Sequence, residues 1–361
     1  MKVGLVSPYD FASPGGVTDH VRYLAKALAH IGHPTQIFAP SSRRHADSDG
    51  TIFHRIGTPI AIPVNDSVAR ITLSFRLANQ VQSIVQRERF DVLHFHEPLM
   101  PAKPMTLLRL STLRPYLERL HRGIAVSEPA RTFFSRYFPD FPLRIIPNGI
   151  DTSVYRPGLS PIRHLRDDKV NILFVGRLEK RKGLGDLLRA YELMRSRVTN
   201  ARLIIVGDGP LRGSAESFIS RHRLPDVVMA GFVPDFVLPR YYDSADIFCA
   251  PATGSESFGI VLLEAMACAL PVVATEVPGY MSVLEPGKDS LTVRPKSWAE
   301  LGAALVILAR DPELRRRMGA AGNEKAQRYS WSSVASQVVE VYEEARAAAR
   351  GLVESHVHDA V

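Results

Sequence analysis

Short apolar runs alternate with segments of helical period along this chain, and the alternation starts afresh near its middle. Lys2 to Val6 is a run of buried-strand type, and Val17, Val21, Leu24, Ala25 and Leu28 then recur at the spacing of one helix face until Gly32 stops it. Strands are expected again at Gln36 to Ala39, from Asp91 into His96 and Glu97, at Arg122 to Val126 and from Arg144. Asn65 to Arg70 is expected to open a helix running towards Arg89, with Asn65, Asp66 or Ser67 as its cap. From Pro157 to Asp168 the composition turns to Pro, Gly, Arg and Asp, after which Val170 to Val175 repeats the opening pattern. Strands follow at Leu203 to Val206, Val227 to Ala230, Ala245 to Ala250, Val272 to Ala274 and Leu291 to Val293. Trp298 to Tyr329 reads as helical and Ser332 to Arg350 as a terminal amphipathic helix.

Two βα-alternating halves make an α/β protein of two doubly wound, Rossmann-like domains facing each other across a cleft the economical architecture. The expected boundaries are 1–155 and 156–330, a last helix at 331–350 and a disordered tail at 351–361.

The stretch with most chemistry runs from Gly254 to Thr275. Glu256 and Glu264 are eight residues apart; on one helix that would leave them roughly 80° apart. The glycines at 254 and 259 instead put Glu256 before a helix and Glu264 inside it. The backbone N–H groups of Ser257, Phe258, Gly259 and Ile260 are then the open donors of a helix start, an anion site. An ordinary buried crossover with two solvated acids would produce the same pattern. Arg177, Lys180, Arg181 and Lys182 crowd the loop after Val175, at a sheet edge where phosphates are held; a solvated basic loop is the alternative. Gly15 and Gly16 form a second turn that a phosphate can approach closely, or a plain tight turn. His96 stands at a strand C-terminus, where open α/β sheets bind ligands, though a satisfied structural histidine fits there equally.

Composition narrows the class. The 361 residues are 45% hydrophobic and 23% charged, as in a soluble globular protein, and the formal charge of +8 favours an anionic partner. Cys249 and Cys268, the two cysteines, lie in apolar segments and read as core residues of a reducing compartment. With no signal-peptide pattern and no eighteen-residue apolar run, the expected location is cytoplasmic, with membrane contact at most peripheral at the inner face. No zinc spacing is present, and Asp47 with Asp49 reads as a solvated loop.

Pro14-Gly15-Gly16-Val17, the Gly176 to Gly183 loop, Gly231-Phe232-Val233 and the Glu256 to Glu264 stretch together resemble the retaining glycosyltransferases of family 4, over nearly the whole chain. The resemblance implies the GT-B fold, with the last helix returning to the N-terminal domain. It implies a hexosyltransferase whose donor is a nucleotide sugar, with no other cofactor and no metal at the chemical step. By that likeness Arg177 and Lys182 bind the donor diphosphate, Gly15 and Gly16 approach it, and Glu264 takes the ribose. Glu256 addresses the sugar with the backbone of Ser257, Phe258 and Gly259, while Val233 and Asp235 read the base.

Ser7-Pro8-Tyr9, Asn65 to Arg70 and His94 to Pro98 are most similar to phosphatidylinositol α-mannosyltransferases. This implies GDP-mannose as donor, a lipid or polyol-phosphate acceptor such as phosphatidylinositol, and Tyr9, Asn65, Ser67, Arg70 and His96 at the acceptor. Nucleic acid is not an expected partner. The alternatives are a UDP-hexose donor with another acceptor, or a nucleotide-sugar epimerase of the same architecture.

Two features depart from that pattern. The helix around Phe75 to Val85 has one cation where the membrane-binding relatives carry a basic cluster, which weakens its attraction to an anionic bilayer. After Ser111 the sequence does not run into the further strand whose histidine matters in the family. A βα share of about 20 to 30 residues is either missing from the protein or left out of this sequence. The second fits better, because deleting a central strand would open the sheet. No residue here takes that histidine's place, and His96 is not its substitute.

Overall fold

The computed structural model describes every residue except 14, 44–49, 65–66, 72–76, 97–119, 255 and 359–361. The chain divides into one unit of Met1–Val126, Ala130–Gly149 and Trp331–Val361, and another of Ser127–Pro129 and Ile150–Ser330. The division falls after Gly149 rather than at 155. Tyr155 shows why: its buried ring packs edge-on to Tyr242 of the second unit, 5.7 Å between centroids.

In the first unit, β1 (Val3–Val6), β2 (Thr35–Ala39), β3 (Ile52–Arg55) and β6 (Val92–Phe95) form a parallel sheet in the order β3-β2-β1-β6. β4 (Ile60–Val64) and β5 (Ser67–Ile71) form an antiparallel pair, and β7 (Gly123–Ala125) and β8 (Leu143–Ile145) a parallel one. The helix Gly16–His30 buries Val21, Leu24, Ala25 and Leu28 on this sheet, together with Trp331, Val334, Val338 and Tyr342 of the helix Trp331–His358. The chain's last helix is therefore part of the first unit's core.

The second unit is a six-stranded parallel sheet in the order β11-β10-β9-β12-β13-β14: β9 (Val170–Val175), β10 (Ala201–Val206), β11 (Val227–Gly231), β12 (Ile247–Ala250), β13 (Val272–Thr275) and β14 (Ser290–Val293). Buried Ile172, Phe174, Ile205, Cys249 and Val273 meet Leu187, Tyr191, Leu301 and Leu305 from helices on one face. The strand order reverses between β9 and β12. Ligands of open α/β sheets bind at such a switch, beyond the strand C-termini. Here those ends lead into the loops that start at Gly176 and Pro251.

Three expectations change. Ser67 to Ile71 is a strand, because Ser-Val-Ala-Arg-Ile pairs in register with Ile60 to Val64; the helix starts only at Leu77. Asn65 and Asp66 lie outside the described residues, and Ser67 caps no helix. The helical stretch from Trp298 is two helices, Trp298–Arg310 and Pro312–Gln327, broken where Asp311 caps the second by accepting from the Leu314 N–H at 2.8 Å. The terminal helix continues past Gly351 to His358, so the expected tail is largely helical. Among the described residues no helix is long and apolar enough to cross a membrane.

Candidate functional site

The loop after β9 turns two adjacent residues inward. Leu178 and Glu179 are buried while Arg177 and Lys180 are exposed, and Lys180–Lys182 form one turn of 3-10 helix ending at Gly183. The Leu178 N–H donates to Asp208 O at 3.0 Å, and the Thr253 N–H donates to Arg181 O at 2.8 Å. These bonds tie the β9 loop to the loops after β10 and β12.

The tie brings together side chains that are far apart in sequence. Arg181 Nη1 lies 2.6 Å and Lys182 Nζ 2.8 Å from the same oxygen of Glu256, whose side chain is 8% exposed. Arg181 Nε also reaches Glu179 Oε2 at 3.2 Å, and Arg177 Nε lies 3.0 Å from Glu179 Oε1. Lys182 and Glu256 thus meet directly, while Arg177 joins them through Glu179 and Arg181. Glu179 did not stand among the sequence-derived site residues, and Arg181 stood there only as one of four cations in the loop. The signal was a single acid two positions from each of two arginines, Arg177 and Arg181.

Glu256 lies before the helix Ile260–Ala267 and Glu264 within it. Gly259 caps this helix at φ 96°, ψ 67°, in left-handed space where the Tyr280 ring would collide with any Cβ at 2.6 Å. The N–H groups of Ser257, Phe258, Gly259 and Ile260 have no hydrogen-bond partner among the described residues. Burial, and then the Glu256 carboxylate, push the Tyr280 hydroxyl well above its usual range. Glu264 is elsewhere: its Oε2 accepts from the buried Tyr242 hydroxyl at 2.6 Å. That partner was illegible in the sequence. Val233 is half-buried and Asp235 exposed on the turn after β11, between the exposed rings of Phe232 and Phe236. The cations and the open N–H groups place positive charge and hydrogen-bond donors beside the Glu256 carboxylate, the chemistry that suits an anion.

In the first unit the switch lies between β1 and β6. Tyr9 bridges Ile71, and the Asp10 N–H donates to Arg70 O at 2.8 Å, so the loop after β1 is pinned to the β5 strand. The Asp10 carboxylate is fully buried. Burial would raise its pKa, but the N–H groups of Ser42 and Ala12 and the Ser13 hydroxyl hold it below the usual range, with Arg70 4.0 Å away. Tyr9 and Arg70 are therefore brought together. Among the described residues a Cβ on Gly15 or Gly16 would meet nothing within 4 Å, so packing between them does not demand glycine there.

His96, at the end of β6, sits in a histidine cluster. Its ring stacks on His94 at 4.3 Å, with His20 edge-on at 5.4 Å, and neither ring nitrogen has a partner among the described residues. His94 Nδ1 pairs with Tyr342 Oη at 2.8 Å and His20 Nδ1 with Asn148 Oδ1 at 2.9 Å. Burial, with mutual repulsion second, holds His96 well below 6.5 and His94 at about 3; burial takes His20 to about 4 against the Asn148 bond. Folded pKa values below the unfolded one mean that the unfolded chain binds more protons, so stability falls as the pH drops from 6.5 towards 4. The slope is at most about 1.4 kcal/mol per pH unit for each proton taken up. Denaturant midpoints at pH 7, 6 and 5 are expected to fall more steeply for the native chain than for His96→Leu; parallel slopes would contradict this account of the cluster.

Comparison with known proteins adds ancestry to this geometry. Residues 159–325 match the family model described as "Glycosyl transferases group 1", and residues 14–115 match "Glycosyltransferase Family 4". The chain is 35% identical to a phosphatidyl-myo-inositol mannosyltransferase of Mycobacterium tuberculosis, over 95% of this chain and 97% of that one. It is 33% identical to the protein of that name from Mycolicibacterium smegmatis, over 95% and 94%. A D-inositol 3-phosphate glycosyltransferase of an Arthrobacter species is 30% identical over 95% and 92%. The first alignment spans 374 residues, to which 95% of 361 contributes about 343, leaving about 31 positions without a residue from this chain. Among solved structures, sucrose-phosphate synthase of Thermosynechococcus elongatus superposes with a TM-score of 0.76 at 22% identity, covering 96% of this chain and 100% of that one. Anabaena HepE, in complex with UDP and glucose, superposes at 0.74 and 19%, covering 94% and 98%. These likenesses establish the GT-B fold.

Proposed function

The chain belongs to glycosyltransferase family 4, and from that membership we propose that it moves mannose, with retention, from a nucleoside-diphosphate donor to a hydroxyl of phosphatidylinositol. The observation that carries this reading is the identity of 33 to 35% with phosphatidyl-myo-inositol mannosyltransferases over 95% of the chain. The geometry supports it. A departing diphosphate carries negative charge that must be met where it develops. Arg177, Arg181, Lys182 and the open N–H groups from 257 to 260 supply preorganised positive charge, and Glu256 stands beside them to take sugar hydroxyls. Glu264, held by Tyr242, takes the ribose, and Val233 with Asp235 the base. A phosphate oxygen of the leaving group accepts the acceptor's proton on the front face of the sugar. Tyr9 and Arg70 contribute to the inositol-phosphate site, and contact with the membrane that carries this lipid is peripheral.

The 30% identity to a D-inositol 3-phosphate glycosyltransferase favours a second reading, a free inositol phosphate as acceptor. A panel of GDP-mannose, UDP-glucose and UDP-N-acetylglucosamine, each assayed with phosphatidylinositol vesicles, with inositol 3-phosphate and without acceptor, separates the possibilities. Sugar transfer from GDP-mannose to phosphatidylinositol is expected. Transfer only to inositol phosphate selects the second reading, and turnover of donor without acceptor points to an epimerase.

A further inference from the structure

Glu179 has no part in the transfer as described, yet its side chain, 1% exposed, is the most deeply buried charge of the site. Burying a carboxylate is costly unless it is paired, and an apolar residue there would anchor the loop as the fully buried Leu178 already does. What a carboxylate adds is direction. Glu179 engages the Nε edge of Arg177 at 3.0 Å and of Arg181 at 3.2 Å, which leaves the Nη groups of Arg177 uncommitted among the described residues. Arg181 then reaches Glu256, which also meets Lys182, so charge alternates Arg177, Glu179, Arg181, Glu256, Lys182 through successive contacts. The Glu179 oxygen facing Arg177 makes an ion pair without an aligned hydrogen bond, so that guanidinium is steered rather than locked.

We infer that Glu179 is a positioning residue: it sets the directions of the Arg177 and Arg181 guanidiniums against the donor diphosphate. This rests on the transfer reading above. Glu179→Gln tests it, because it keeps the volume and leaves the backbone bonds of Leu178 and Lys182 in place. It also raises the charge of the five groups from +1 to +2, so attraction for an anion survives while direction is lost. With direction lost, kcat falls about 10²-fold while KM for the donor changes less than about threefold. Calorimetric affinity for GDP or UDP and the thermal midpoint stay near those of the native chain. Glu179→Asp, which restores the charge on a shorter arm, recovers about tenfold of the lost turnover.

Unchanged kcat in Glu179→Gln overturns the inference. So does a loss of turnover matched by equal losses of nucleotide affinity and thermal stability, which is the signature of a merely structural residue. If the native chain binds neither GDP nor UDP and transfers no sugar, the transfer reading itself falls and takes this inference with it.

Discussion

Replacing Lys182 by alanine is expected to slow sugar transfer by about 10²- to 10³-fold, the loss typical of removing one preorganised group that stabilises developing charge. Lys182 is 16% exposed and its ammonium lies 2.8 Å from Glu256. Largely shielded by protein, this ammonium acts through a lower effective dielectric than water provides. The variant is informative because Glu256 keeps its other partner, Arg181 at 2.6 Å, so no buried carboxylate is orphaned. Loss of turnover therefore reports on the missing cation rather than on a collapsed loop. Steady-state kinetics with GDP-mannose and phosphatidylinositol decide the matter, with the thermal midpoint measured alongside. Turnover within a few-fold of the native chain would remove Lys182 from the assigned role.

Gly183→Ala should damage both stability and activity, for a reason that lies in the backbone. Gly183 has φ of 74°, and a Cβ placed there would lie 1.8 Å from the carbonyl oxygen of Pro251. That oxygen belongs to the chain leaving β12 and cannot swing aside as a flexible side chain would. Left-handed backbone strain plus the forced displacement is expected to cost about 2 to 4 kcal/mol. Because Thr253 bonds to Arg181 across the same junction, the shift also separates Glu256 from its cations, and a displacement of about 1 Å costs about 10²-fold in rate. Gly185→Ala, two residues on, is the control: its Cβ would meet nothing within 4 Å, it lies in the helix Leu184–Arg195, and it should be neutral or stabilise by up to about 1 kcal/mol. Denaturant titration of the two variants separates them. Equal midpoints would show that the close approach of Gly183 to Pro251 is not a constraint.

Elements were legible where the local pattern had one solution. The buried runs Val3 to Val6, Val170 to Val175 and Val272 to Ala274 are strands because short runs dominated by apolar residues, valine foremost, suit a sheet covered on both faces. Ser67 to Ile71 was misread because Ser-Val-Ala-Arg-Ile is five residues long with no clear period of two, and Asn-Asp-Ser looks like a helix cap. Long-range pairing with Ile60 to Val64 decided for the strand. The break at Asp311-Pro312 was readable in principle, since aspartate before proline is a helix-start signal.

The sequence by itself determined that the chain repeats a βα alternation, that four cations follow the first strand of the second half, and that Glu256 precedes a helix carrying Glu264. Strand period, glycine position and helix period are properties of a few neighbouring residues, so they can be read without the fold. Only the tertiary structure decided which groups meet. Arg181 and Glu256 are 75 residues apart and touch because β9 and β12 are neighbours in the sheet, a consequence of crossover connections that local spacing does not encode. The same holds for Glu179 steering two arginines, for Tyr242 on Glu264, and for His96 stacked on His94 with Tyr342 of the terminal helix as that ring's partner. Each depends on packing between elements remote in the chain, where burial fixes the charge or hydrogen-bond partner a side chain must have.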